Sequence, residues 1–301
     1  MNIDKLLEKK LEAKTSANVK SIFTEKEINF IIKFLYNLYD SGISLKKISK
    51  SYPFFNSDNL SKRFKNKNLK VTNKQNRLRV REDLFETIST EEDAYWLGFL
   101  YADGYISDNG TVEITLAHKD LNHLYKWASF IDFNGKLYLN KEVTLNDKKF
   151  ICNRLSFASQ KLKNRFFNRG IVPRKSCILN FPTEEQIPIH LLNHFIRGYL
   201  DGDGSIISGK GSERNSNSFR AYRISFVGTK NILRGILNNL PVINKKANKL
   251  RKKGNCAYQL EIGGNIQVKR ILDHLYKDAA IYLERKNEKY KEFCRYLEQS
   301  R

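Results

Sequence analysis

Apolar side chains recur along this chain in two rhythms, and each rhythm occurs twice. Val112-Glu-Ile-Thr-Leu116 and Tyr222-Arg-Ile-Ser-Phe226 alternate apolar with polar residues as half-buried strands do, and so do Asn153-Arg-Leu-Ser-Phe157 and Tyr258-Gln-Leu-Glu-Ile262. Helical patterns follow: Lys119 to Ile131 and Lys230 to Leu240 after the earlier strands, Gln160 to Asn168 and Asn265 to Tyr276 after the later ones. Ahead of each set runs an apolar helix ending in small residues and an aspartate: Trp96-Leu-Gly-Phe-Leu-Tyr-Ala-Asp103-Gly104 and Ile196-Arg-Gly-Tyr-Leu-Asp-Gly-Asp203-Gly204. The pattern predicts a duplicated α+β unit of helix, two strands, helix, two strands, helix, with a period of 100 residues.

Within each nine-residue frame the small residues are four apart, Gly98 with Ala102 and Gly198 with Gly202, so they share one helix face. Two such faces let helix backbones approach closely. The final glycines, Gly104 and Gly204, are expected to supply a left-handed stop. Ser89-Thr90-Glu-Glu92 starts the first helix with a capping residue and acids placed for the dipole. Each helix then ends with a carboxylate beside its twin. A helix C-terminus carries partial negative charge and a second carboxylate adds repulsion, so a cation is expected there. Hard divalent cations take carboxylate oxygens and complete their shells with water and phosphate, which suits phosphodiester hydrolysis.

At these residues the chain resembles the LAGLIDADG homing endonucleases, in the single-chain form with two motifs. Trp96, Phe99 and Tyr101 depart from the consensus in the first copy, and Ile196, Arg197 and Tyr199 in the second, while the small positions and the eighth-position acids stand. The resemblance covers about residues 91 to 290. It implies two pseudo-symmetric αββαββα halves forming a DNA-binding saddle, with Asp103 and Asp203 as metal-binding catalytic acids for Mg²⁺ (or Mn²⁺). A basic residue from each half sits beside the metals in this family. Lys175 in Ile171-Val-Pro-Arg-Lys-Ser176 and Lys286 in Tyr282-Leu-Glu-Arg-Lys-Asn287 occupy comparable places, and the Pro-Arg-Lys-Ser string resembles that element in intein-type members. Such a cation stabilises charge developing on the scissile phosphate.

Alternation assigns the strand faces. Ile114, Leu116, Leu155 and Phe157, with Ile224, Phe226, Leu260 and Ile262, are expected to pack on helices. Glu113, Thr115, Arg154 and Ser156, then Arg223, Ser225, Gln259 and Glu261, are left on the open face as candidate readers of base edges in a major groove. Lys+Arg 54 against Asp+Glu 32 gives a formal charge of +22, which favours a polyanionic partner. No stretch approaches a transmembrane span and the N-terminus lacks a signal-peptide core, so double-stranded DNA rather than a membrane is the expected partner, bound by a monomer.

Cys152, Cys177, Cys256 and Cys294 are widely spaced without a CxxC, arguing against a zinc ribbon and a disulfide framework and for a reducing, nucleoid-associated cytoplasmic location. His190 and His194 lack companions for a metal site and are read as surface or packing residues. Residues 1–23 read as a charged N-terminal segment, 24–65 as a small all-α helix-turn-helix-like module, 66–88 as a basic linker, 89–184 as the first half and 185–301 as the second. In the module, Phe30 to Tyr39 and Ile43 to Lys50 precede a third helix, Asn59 to Lys65, capped by Ser57 or Asp58; its Asn59, Lys62, Arg63 and Lys65 would face the major groove.

Three functions compete: a homing endonuclease cutting a long, nearly asymmetric site; an RNA maturase with intron RNA as partner; and a DNA-binding regulator. Regulators of this fold usually lose the acids, which are both present here. An intein is not expected, as Met1 is no splicing nucleophile and Gln-Ser-Arg301 no terminal His-Asn.

Overall fold

The computed structural model describes residues 23–41, 43–52, 55–71, 80, 81, 83–145, 147–210 and 220–299. Most of the charged N-terminal segment, Pro53 and linker residues 72–79 lie outside them. The chain divides into two compact units: residues 1–80 with 132–135, and residues 81–131 with 136–301.

In the first unit, α1 (Glu25–Asp40), α2 (Leu45–Ser51) and α3 (Ser57–Asn66) surround a core that includes Ile31, Leu35, Ile48, Phe55, Leu60 and Phe64. Thr24 and Glu27 close a capping box on α1 and Ser44 caps α2. The cap of α3 is Asn56, not Ser57 or Asp58: its side chain accepts from the Asn59 amide at 2.8 Å, because Asn56 holds the extended backbone that a cap requires while Ser57 is already helical.

The second unit carries the predicted duplication. Its first half runs α4 (Glu91–Asp103), β1 (Gly104–Ile106), β2 (Thr111–Ala117), α5 (Leu121–Phe130), β3 (Tyr138–Leu145), β4 (Lys148–Ala158) and α6 (Gln160–Asn168). The second runs α7 (Leu192–Asp203), β5 (Gly204–Lys210), β6 (Arg220–Gly228), α8 (Lys230–Asn239), β7 (Leu250–Lys252), β8 (Tyr258–Gly263) and α9 (Asn265–Tyr276), followed by α10 (Glu284–Gln299). Both antiparallel sheets share one topology, β1-β2-β4-β3 and β5-β6-β8-β7. All eight strand residues expected to face the helices are buried. Among the described residues no helix is long and apolar enough to cross a membrane.

Helices α4 and α7 meet at their glycines. A Cβ on Gly98 would lie 2.0 Å from the Phe195 carbonyl oxygen, and one on Gly198 2.0 Å from that of Tyr95. One helix's missing side chain is thus filled by the other's backbone. The closing glycines are not left-handed: Gly104 (φ −71°, ψ 139°) and Gly204 (φ −101°, ψ 176°) are extended, since each helix passes directly into a strand. Glycine is needed there for space, as a Cβ would meet the Leu100 oxygen at 2.6 Å or Leu200 Cδ1 at 2.4 Å.

Register shifts one internal equivalence. Gly104 lies opposite Ile114 and Gly204 opposite Phe226, so Ile114 corresponds to Phe226 and Glu113 to Ser225, two residues from the match that sequence suggests. A shift of two preserves the face, which is why alternation hid it.

The cysteines also depart from expectation. Cys177, beyond α6 in the first half, is disulfide-bonded to Cys256 before β8, 79 residues away, while Cys152 and Cys294 are free. Only the packing of one half on the other makes them neighbours. Closing so long a loop restricts the unfolded chain, so Cys177→Ser should lower unfolding free energy by about 2–4 kcal/mol relative to the oxidised protein. Chemical denaturation with and without dithiothreitol measures this; a reductant-insensitive wild type would show the bond contributes nothing.

Candidate active site at the paired helix ends

The motif frames place Asp103 and Asp203 at the last residues of α4 and α7, side by side because the glycine contact holds the helices together. A Cβ on Gly202 would sit 3.5 Å from the Asp103 carboxyl carbon. Both aspartates are exposed, yet the protein around them still desolvates the carboxylates. Burial, then the like charge of Asp203, pushes Asp103 up to about 6; burial likewise raises Asp203.

Each predicted lysine returns to the end of its own half's motif helix. Lys175, half-buried in the turn Lys175–Cys177 after the left-handed Arg174, donates to the Tyr101 carbonyl and to that of Ala102 at 2.5 Å. Lys286, in the first turn of α10 and only 3% exposed, donates to the Leu200 carbonyl and to those of Asp201 and Gly204, both at 2.7 Å. The lysines therefore add side-chain donors to carbonyls at and just beyond the helix ends; the Leu200 carbonyl also accepts from the Gly204 amide. Burial pushes both ammonium groups down to about 8, against the pull of the acids.

Both lysines oppose the rise of both acids, so the charges of the two halves act together across the interface. Arg285, next to Lys286, is tied to Asp120 of the first half at 2.9 Å.

A polar network behind the acids was not foreseen. Asp201, 1% exposed, accepts from Tyr95 Oη at 2.7 Å, Tyr276 Oη at 2.5 Å and the Leu283 amide at 2.7 Å. Tyr95 also meets His123 Nε2 at 3.0 Å, and burial pulls that imidazole down to about 3. Arg197, also 1% exposed, donates to the carbonyls of Ile281 and Leu275 and to Glu91 at 2.6 Å. A charge on an otherwise apolar helix face was the available sign of both residues. Arg197 also donates to His194 Nδ1 at 2.9 Å.

The open strand faces are less free than alternation suggests. Arg154 pairs with Glu113 at 3.6 Å and lies over the Tyr138 ring, and Arg223 pairs with Glu261 at 3.4 Å. Thr115 donates to Glu113, Ser156 is half-buried opposite it, and Gln259 donates to Ser225 at 2.7 Å. Ser225 is a correction: at 2% exposure it is buried, because the longer Gln259 lies across it. Register adds exposed apolar groups to the same faces, Tyr105, Tyr138 and Phe150 in the first half and Ile207 and Val227 in the second. They lie at or beyond the edges of the alternating runs, so the sequence pattern passed over them. In the first unit, Arg63 donates to Asn59 at 3.1 Å and stacks on Phe55, while Lys62 and Lys65 are exposed.

Among solved structures, the I-LtrWI LAGLIDADG homing endonuclease bound to target DNA aligns with a TM-score of 0.50 at 11% identity, covering 70% of this chain and 91% of that one. The chain has the LAGLIDADG fold. The LAGLIDADG meganuclease I-CpaMI bound to uncleaved DNA is also similar, with a TM-score of 0.48 at 13% identity over 69% of this chain and 90% of that one. No protein-family model and no curated protein sequence matches. The LAGLIDADG fold here is therefore recognised from architecture, with the motif helices at the interface of its two halves.

Proposed function

We propose that this chain is a site-specific, divalent-metal-dependent double-strand DNA endonuclease, acting as a monomer on a long, nearly asymmetric target. The observation that carries the reading is the twin arrangement of Asp103 and Asp203 at abutting helix ends, each flanked by a lysine. The donors there are hard oxygens, which suits Mg²⁺ or Mn²⁺. Among the described residues no group of three or more His, Cys, Asp or Glu side chains could hold a metal alone. Phosphate and water oxygens would complete the shell, and the bound ion would supply Lewis-acid stabilisation of the scissile phosphate.

The lysines differ in what they can offer. Lys286 spends all three N–H donors on carbonyls and acts through its charge. Lys175 uses two and keeps a third for a phosphate oxygen or the attacking water. The open strand faces, with Arg154, Arg223, Gln259 and the exposed apolar residues, would read base edges once DNA displaces their ion pairs. The α2–α3 pair is proposed as a helix-turn-helix module that adds backbone contacts through Lys62 and Lys65.

Incubation with a randomised duplex library in Mg²⁺, followed by sequencing of the cut ends, tests the reading. One enriched site cut on both strands is expected; a folded protein that cuts nothing in Mg²⁺ or Mn²⁺ would overturn it. On the selected site, Lys175→Met should slow single-turnover cleavage by about one to three powers of ten. Its affinity in Ca²⁺ should change little, the salt slope falling by about one. Lys286→Met should also lower the melting temperature, since three hydrogen bonds to carbonyls are lost.

A further inference from the structure

The sixth residue of each motif frame points away from the acids and has no place in the chemistry above. In the first copy it is Tyr101, whose hydroxyl donates to the Arg169 carbonyl at 2.5 Å. Arg169 in turn donates to the carbonyls of Phe85, Glu86, Glu185 and Gln186, fixing the start of the segment that leads to Lys175. The contact is built in: Gly170 is left-handed (φ +87°), and a Cβ there would lie 2.1 Å from the Tyr101 oxygen. In the second copy the sixth residue is Asp201, which accepts from the Leu283 amide. Leu283 in turn accepts from the amides of Lys286 and Asn287 as α10 begins. Tyr95 from α4 and Tyr276 from α9 hold the same carboxylate, so three elements converge on it.

Resting on the endonuclease reading, we propose that Tyr101 and Asp201 are positioning residues, each anchoring the backbone segment that carries its own half's lysine back to the motif helix. The two halves do one task with different chemistry, a phenol donating to a carbonyl and a carboxylate accepting from an amide. Because Lys175 holds the end of α4 and Lys286 the end of α7, loss of either anchor should act on one DNA strand. General loosening of the fold would act on both.

The test uses the full chain, a selected duplex labelled separately on each strand, and single-turnover cleavage in Mg²⁺ with binding in Ca²⁺ as the control for folding. Asp201→Asn should slow by about ten- to a hundredfold the same strand that Lys286→Met slows, so that nicked duplex accumulates. Tyr101→Phe, which removes one oxygen and is the variant most certain to fold, should slow the strand that Lys175→Met slows. Ca²⁺-dependent affinity should stay within about threefold of wild type, too small a change to account for such slowing. Equal slowing of both strands, or no change in either, overturns the proposal. A wild type that cuts no duplex overturns the endonuclease reading instead.

Discussion

Asp103→Asn and Asp203→Asn are each expected to abolish double-strand cleavage, by at least about a thousandfold, while leaving duplex affinity in place. Each carboxylate is proposed to hold metal rather than DNA, and its removal lessens repulsion of phosphate. The same substitutions should stabilise the metal-free protein. Asp103 titrates near 6 when folded against an ordinary 3.8, so its stabilising contribution is present below about 3.8 and is lost as pH rises through 6. The charged acid therefore opposes folding at neutral pH. The gain in melting temperature from Asp103→Asn should be larger at pH 8 than at pH 5, in buffer containing EDTA. Inactive, more stable variants would mark the pair as kept for chemistry. Undiminished cleavage by the double variant would place the active site elsewhere.

Gly198→Ala should be among the most damaging single changes in the chain although it touches no site residue. Its Cβ would lie 2.0 Å from the Tyr95 carbonyl and 2.9 Å from the Phe99 amide nitrogen, both backbone atoms of α4. Backbone in a helix packed on both sides cannot yield without separating the two halves. A loss of about 3 kcal/mol or more is expected, with cleavage falling in step as Asp103 and Asp203 move apart. Gly254→Ala is the control, since only Ala257 Cβ, at 3.9 Å, approaches its added carbon. Thermal melting of the two variants decides the matter. Equal stability would mean that α4 and α7 are not packed at their glycines.

The sequence by itself determined the central strands of the duplicated unit, the helices that follow them and the residues that end its motif helices, but named neither the outer strands nor α10. A five-residue alternation suffices to orient a strand, and Ile114, Leu155, Ile224 and Leu260 are buried as that period requires. Gly98 and Gly198 at one place in two frames likewise disclosed a close helix contact, because few other reasons keep a side chain off a helix face. What only the tertiary structure decided are relations between residues far apart in the chain. Glu113 matches Ser225 rather than Arg223 because hydrogen bonds, not the two-residue period, set register. Cys177 and Cys256 pair because one half folds onto the other. Lys175 and Lys286 cap motif helices that precede them by more than 70 residues, and Asp201, one position in a helical run by sequence, becomes the buried junction of three elements. Local pattern records which face of an element is wet; which elements meet across that face depends on the whole core closing at once.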